Sequence, residues 1–452
     1  MSEHLSALCE KYPAVRALLQ EYGGEPLRGY LEQAVHKPLP SILPAEELLE
    51  EVRQTVKPVF GEEIAEETAA LIQRQRCIST ANHHHMAFDW RMVQSALLYE
   101  QWLRLHGEQG GVVPIFATAN VSLKSTVYAR GALVYDCNLP EKVLRIPVFP
   151  RWKSCVMGLE GINRQRIEDF RKWLLREKVA GAISDGMFDA MSVFCEEVLE
   201  NKQVLQCRGF RKQTMVINDL LSQKYHSGRK VRHIWMDMET IAAGLLLKDL
   251  HRENAIPYQI LFCRKLRERI LQKLDGVSGC WTTPGGGTHF FWGLDERAVR
   301  FPLRLQEESG RWVLSGKNSA EETVRFPLET ETLEESLNTG KIFPSLFLVF
   351  LELYFLRDYT VMGGHFQPTY LQEMRKGMVE AFGELGIFSE EADILRQKTS
   401  LTILGMAYLM RNRGNGRYFV STAEMWEEPL IQEEMRTGLE TSLWETYEQS
   451  NL

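Results

Sequence analysis

The sequence predicts an α/β protein: a parallel sheet with a helical insertion, a small antiparallel β-hairpin region and a helical C-terminal part. Three observations carry this. From Arg76 to Asp89 a short apolar run gives way to small and polar residues, passes His83-His84-His85 and enters helical spacing; Val112 to Ala117 then reads as a buried strand, completing a βαβ unit. The strand-then-helix pattern returns at His233 to Met236 and at Thr360 to Gln367. Between the first two, Asn163 to about Leu221 is amphipathic and helical throughout. These changes divide the chain into an N-terminal helical region (1–75), the first half of the core (76–150), a helical insertion (151–230), the second half of the core with antiparallel hairpins (231–385) and a C-terminal helical region (386–452).

Taken in order, residues up to Arg76 alternate helical patterns with breaks at Pro38, Pro40 and Pro44, and Glu62 to Gln75 is a charged amphipathic helix. It is expected to pack over the sheet without contributing chemistry. In the helix after the histidines, Trp90, Val93, Leu97, Leu98, Trp102 and Leu105 recur at helical intervals, leaving Arg91, Glu100 and Arg104 for the other faces. Asp89 suits the first turn of that helix. Ala132 to Tyr135 is a strand, and Leu144 to Val148 an edge strand, since Pro147 cannot donate to a ladder. Asp237 and Glu239 open a helix through Leu250, where carboxylates serve as dipole partners. A further helix is expected over Tyr258 to Leu274. Strands at Val299 to Leu303, Arg311 to Leu314 and Thr323 to Phe326 alternate like a small antiparallel sheet. A helix capped by Thr332 and an apolar helix over Phe343 to Phe355 come next. After a Gly-rich break at Arg413 to Gly416, an acidic helix spans Thr422 to Glu448.

Composition limits the function. The 452 residues are 44% hydrophobic and 25% charged, as in an ordinary globular protein, with ample material for a core. The net charge of -7 arises from 60 acidic and 53 basic residues without a basic block, so no nucleic-acid partner is expected. Eight dispersed cysteines lack any C-x-x-C pair, which favours a reducing cytoplasm. Met1 to Glu10 lacks a basic stretch followed by an apolar one, and the apolar run Ile342 to Leu356 is interrupted by Glu352; neither a signal peptide nor a membrane span is expected. The expected partner is a small-molecule substrate, and a homodimer is admissible.

The chemistry-bearing residues cluster where strands end. Imidazoles and a helix N-terminus at a sheet edge can hold phosphate or a developing oxyanion, which makes His83 and His85 catalytic candidates with Asn82 and His84 beside them. If the strand stays extended, His83 and His85 share one side. They could instead bind zinc or iron with His289, and His365, Asp237 and Glu239 are further metal candidates. Gly363-Gly364-His365-Phe366-Gln367-x-x-Tyr370 forms a second site: Gly363 and Gly364 permit close backbone approach, His365 is a catalytic candidate, and Gln367 and Tyr370 add donors and acceptors. Asn120 lies in a polar turn after the second strand, and Lys124 and Arg130 can meet a carboxylate or phosphate. Gly285-Gly286-Gly287 lacks the phosphate-loop patterns and reads as a hairpin or lid.

The order of pieces resembles the family of bacillithiol-synthesis enzymes proposed to add cysteine to a glucosaminyl-malate acceptor. Ser79 to His85 and Val112 to Ala117 stand where that family has a first strand with its turn and a V-V-P-V-F-type strand. Ser315-Gly316, the helix from Thr332 to Leu337, Pro344, Gly363, Gly364 and Tyr370 follow in similar order. The resemblance covers about Cys77 to Val148 and Arg300 to Phe382. It departs at the three histidines, at His365-Phe366-Gln367 and in lacking a long C-terminal coiled coil. It implies a Rossmann-like core akin to class I nucleotidyltransferases, with Ala81 to His85 facing Gly363 to Tyr370 around a nucleotide or phosphorylated intermediate. The function expected is that of a cytosolic ligase or nucleotidyl-transfer enzyme joining an amino acid or amine to a small acceptor with ATP or another nucleotide. In this reading His83 and His85 stabilise phosphate and Arg130 orients a carboxylate. The alternatives are a zinc- or iron-dependent hydrolase or lyase, and a non-catalytic interaction protein.

Overall fold

The structure, a computed structural model, describes residues 2–34, 39–87, 90–108, 111–125, 128–136, 139, 142–226, 228–283, 285–398, 410–413, 416–419, 422–430 and 432–449. Asp89, with its expected dipole role, lies outside them, as do Pro38, Cys137, Gly414 and Asn415.

The fold is mixed α/β, organised around a four-stranded sheet. The first strands are β1 (Cys77–His83) and β2 (Val112–Thr118), joined through the Trp90–Leu105 helix. A hairpin of β3 (Gly131–Asp136) and β4 (Lys142–Pro147) follows, then the helical insertion, then β5 (Arg232–Asp237). The antiparallel region holds β6 (Trp281–Thr282), β7 (Gly286–Gly287), β8 (Phe291–Leu294), β9 (Arg300–Pro302), β10 (Arg304–Glu308), β11 (Arg311–Lys317), β12 (Thr323–Pro327) and β13 (Ile342–Pro344). The short β14 (Thr360–Met362) closes the core.

The main sheet runs β14-β1-β2-β5 and every pairing in it is parallel. Ser79 is the turning point: it pairs with Met362 on one side and Ile115 on the other. Beyond it the register with β2 slips, so that Asn82 meets Ala117 and His83 meets Thr118. This irregularity re-aims the end of β1, as bulges near functional sites commonly do. The carboxyl ends of β1 and β14 lead to different helices, Trp90–Leu105 and Gln367–Leu385, and the crevice of an open α/β sheet forms where exits diverge.

The helix after β1 has no water-facing stripe in its C-terminal half. Glu100 is buried, not on an outer face as its spacing suggests; it accepts hydrogen bonds from the His226 and His233 Nε2 atoms at 2.9 and 3.0 Å and pairs with Arg104. Burial would raise its carboxyl, but these donors outweigh burial and hold it well below the usual range. Around the insertion, Phe194, Phe210 and Ile217 build a second core that takes in Val134 and Ile146 of the β3–β4 hairpin. Arg232 of β5 forks onto Asp219 at 2.9 and 2.7 Å, tying the insertion to the sheet. Near the base of β14, buried Arg357 meets Glu352, Glu47 and Asp249 at 2.6, 2.8 and 3.3 Å.

Several expected elements differ. The helix over Tyr258 to Leu274 is two, Ile256–Phe262 and Arg264–Lys273, because Cys263 adopts an extended conformation. The Thr330–Asn338 helix starts before Thr332 and has no side-chain cap. Ile342–Pro344 is a strand paired with β8; Ser345 caps the helix Leu346–Phe350, which widens into a π-turn over Leu351–Phe355. The acidic terminal helix is three: Thr422–Glu427, Gln432–Leu439 and Leu443–Gln449. Among the described residues no helix is long and apolar enough to cross a membrane.

Candidate functional site

A cavity of about 690 Å³ opens at the carboxyl ends of β1, β2 and β14. Asn82 and His83 enter it from β1, Asn120 from the turn after β2, and Gly364, His365, Gln367 and Tyr370 from the turn and helix after β14. The two strand ends singled out in the sequence therefore do border one space. The rest of the lining was not anticipated. Arg300 and Trp292 come from the antiparallel region, and His4 and Leu8 from the N-terminal helix Glu3–Lys11, in a region expected to contribute no chemistry.

The histidine triplet divides. The strand stops at His83, so the assumed alternation ends there and His85 does not share the cavity side with His83. His84 is fully buried; its Nε2–H donates to the Arg211 carbonyl at 3.1 Å, and Thr214 lies 3.2 Å away. His85 folds back, its Nδ1–H donating to the His83 carbonyl at 2.7 Å, and its ring faces Trp235. Asn218 locks this turn by accepting from Ala87 N–H at 2.7 Å and donating to the His85 carbonyl at 2.9 Å. Neither His84 nor His85 lines the cavity, because both rings are used in holding the turn.

The turn after β14 behaves differently. A Cβ on Gly363 would stand 1.8 Å from Gln367 Oε1, so glycine is required for that side chain to tuck under the turn. Gln367 accepts from the Thr80 hydroxyl at 2.9 Å and donates to the Val361 carbonyl at 3.3 Å, stitching β1 to β14. Its amide is thus a strut on the cavity wall, and Gly363 stands behind it, outside the lining. His365 is only 5% exposed, and its Nε2 has no hydrogen-bond partner among the described residues. Tyr447 donates to the His365 carbonyl at 2.8 Å and its ring lies 4.3 Å from the imidazole, fixing its position. Burial lowers the His365 pKa to about 4, so the ring is neutral near pH 7 and can donate or accept one hydrogen bond into the cavity.

Arg300 Nη1 donates to the Asn120 carbonyl at 2.8 Å and to its side-chain oxygen, and the guanidinium lies 4.6 Å from the centroid of Trp292. It supplies the cavity with a fixed cation, the part the sequence reading gave to Arg130. Arg130 lies instead beside the β3–β4 hairpin, outside this cavity. Behind Asn120, Glu239 accepts from the Thr118 hydroxyl and from the amides of Ala119 and Asn120 at 2.5, 2.8 and 3.2 Å. Burial raises its pKa. Glu239 therefore shapes the turn, a larger part than the helix-dipole role expected of it. Asp237 does cap its helix, accepting from Thr240 N–H at 2.8 Å, and also binds Arg211 at 2.9 Å. Burial pushes its carboxyl up, but Arg211, His84 and Thr240 together bring it below its ordinary value.

The proposed metal set is not assembled. His289 Nδ1 accepts from Leu305 N–H at 2.9 Å and the ring faces Trp281, away from the triplet. Among the described residues no group of three or more His, Cys, Asp or Glu is placed to hold a metal ion. Gly286 and Gly287 pair with β6 in a short hairpin. No nearby sequence pattern marks Arg300 or His4: each reaches the cavity through tertiary packing alone. No protein-family model matches the chain, and no curated protein matches it.

Proposed function

We propose that the protein is a transferase or ligase of small-molecule biosynthesis. It would bind a phosphate- or carboxylate-bearing ligand, ATP or another nucleotide being the expected one, in the β1–β14 crevice. The observation that carries this reading is a buried, neutral His365 with an unused Nε2 in the same cavity as the anchored Arg300 cation. Among the described lining residues there is no acidic side chain to repel an anion. Arg300 is suited to grip the anionic group in a planar, two-pronged contact, and Asn82, His83 and Asn120 surround it with further polar groups. His365, neutral near pH 7, is suited to accept at its unbonded Nε2 the proton that an attacking amine or thiol gives up, and as imidazolium to pass it to the leaving group. The apolar wall of Leu8, Leu346 and Phe350 fits the uncharged part of the ligand. The resemblance to the cysteine-adding family adds a thiol-bearing amino acid as one nucleophile to try.

Thermal unfolding in the presence of ATP, ADP, CTP and GTP tests the reading. At a hundredfold excess over the dissociation constant a ligand stabilises the folded state by about 2.7 kcal/mol. At least one nucleotide should raise the wild-type midpoint, and raise the Arg300→Gln midpoint by clearly less. If none of the four moves the wild-type midpoint, the nucleotide-dependent reading fails.

A further inference from the structure

The geometry points to a second anion site, separate from the cavity above, that takes a chain of two or more phosphoryl groups beside the β3–β4 hairpin. Lys124, Arg130, Arg145 and Arg151 line one recess of about 270 Å³ with Tyr128. Among the described residues none of the four cations has an ion pair, and no acidic side chain lines the recess.

The four come from separate pieces of chain that the fold holds together. Lys124 sits in a turn pinned by Leu123 N–H donating to the Ser154 carbonyl at 2.9 Å and by Lys124 N–H donating to the Ser122 hydroxyl at 3.2 Å. The Arg130 carbonyl accepts from both Val148 and Phe149 N–H, at 2.9 and 2.8 Å. Arg145 projects from β4 opposite Leu133 of β3. Between them Gly131 lets the strands close, since a Cβ there would stand 2.0 Å from the Ile146 carbonyl oxygen. Arg151 is held by its neighbours: Phe149 and Trp152 both pack on Arg166, at 5.5 and 5.2 Å.

Tyr128 supplies the second observation. It is 4% exposed, and its hydroxyl meets only the Arg130 guanidinium, a donor, so the phenolic proton has no acceptor among the described residues. The Arg130 guanidinium lies over the ring face, 4.9 Å from the centroid. A buried hydroxyl whose proton has no acceptor is costly, and so is a set of like charges sharing one recess. One anion relieves both, taking the phenol as a donor and the guanidinium groups as forks.

The size of the charge selects the ligand. A single phosphate monoester carries about -2 at pH 7, which leaves half of a fourfold positive recess unmatched. Pyrophosphate, or the phosphate chain of a nucleoside triphosphate, matches it. The recess is too small for a folded macromolecular surface and fits a short phosphate chain.

The test is calorimetric titration of pyrophosphate, with orthophosphate as a second arm, into the full-length wild type at low ionic strength, where such contacts are least screened. The same titration is run with Arg300→Gln, which removes the cation of the other cavity. Arg145 and Arg151 are exposed, so R145S/R151S is expected to fold. It should weaken pyrophosphate binding about tenfold or more, while R300Q retains it and orthophosphate binds more weakly than pyrophosphate. An equal loss in a control that removes two exposed arginines elsewhere, R264S/R269S, would overturn the site. So would undiminished binding in R145S/R151S, orthophosphate binding as tightly as pyrophosphate, or no binding by the wild type at millimolar concentration.

Discussion

Two turns stand side by side at the carboxyl edge of one sheet, and both carry histidine. In the turn after β1 the protein uses its own imidazoles: His84 donates to Arg211, and His85 donates back to His83. In the turn after β14 the support comes from Gln367 and Tyr447, which leaves the His365 ring nitrogen unbonded inside a cavity. Residue type and position at a strand end are thus poor guides to function. What separates a ring spent on structure from one left open to the cavity is whether other groups already do the holding.

The contrast can be broken hardest at Asn218. Asn218→Ala removes the partner of two buried backbone groups in the first turn, Ala87 N–H and the His85 carbonyl. Each buried group left unsatisfied costs about 1–3 kcal/mol, so a loss of about 4 kcal/mol is expected from urea unfolding. A loss below about 1 kcal/mol would mean that the turn is not held this way.

Acid should act through the same ring. Burial, reinforced by Arg211 and opposed by Asp237, lowers the His84 pKa from 6.5 to about 4. Between those values the unfolded chain binds a proton that the folded chain refuses, so stability must fall as pH drops from 6.5 toward 4. The full depression corresponds to about 3 kcal/mol for this ring. His365, lowered to about 4 by burial alone, adds to the same slope. In His84→Gln, the difference in unfolding free energy between pH 7 and pH 4 should shrink by about that 3 kcal/mol; an unchanged difference would show that His84 is charged or exposed in the native state.

The smallest effect on stability belongs to the second turn. His365→Asn should cost only about 1 kcal/mol in the free protein, because no hydrogen bond to the ring nitrogen is lost. The same variant should lose any catalytic turnover while retaining ligand binding through Arg300. Destabilisation as large as that of Asn218→Ala would make the two turns alike.

Much of the framework could be read from the chain. Glu62–Gln75 follows from periodicity, because its apolar residues bury along one face, and the strand at Val112 follows from its unbroken apolar run; Trp90–Leu105 keeps helical spacing although its apolar residues serve two cores. The pairing of the histidine-bearing strand with the one before Gly363-Gly364 was also legible, since glycines after a strand mark a place where something comes close; here it is Gln367. The split of the triplet was not, because where β1 stops depends on its register with β2. Arg300 was hidden for a related reason: its partner Asn120 is 180 residues away, and no local pattern records such a contact. Pro344-Ser345 did carry a signal that the apolar run begins as a strand and then caps a helix.

The cavity wall joins distant parts of the chain. His4 and Leu8 face it, Tyr447 braces His365, and Leu443 and Trp444 donate backbone hydrogen bonds to Glu25 and Gly23. A polypeptide leaving the ribosome must therefore keep the segment around Leu8 and Glu25 waiting until Leu443 and Tyr447 have emerged. The cavity wall would be completed only when those contacts form, and a translation product ending before Leu443 would hold most of the core yet present an open, unbraced trough.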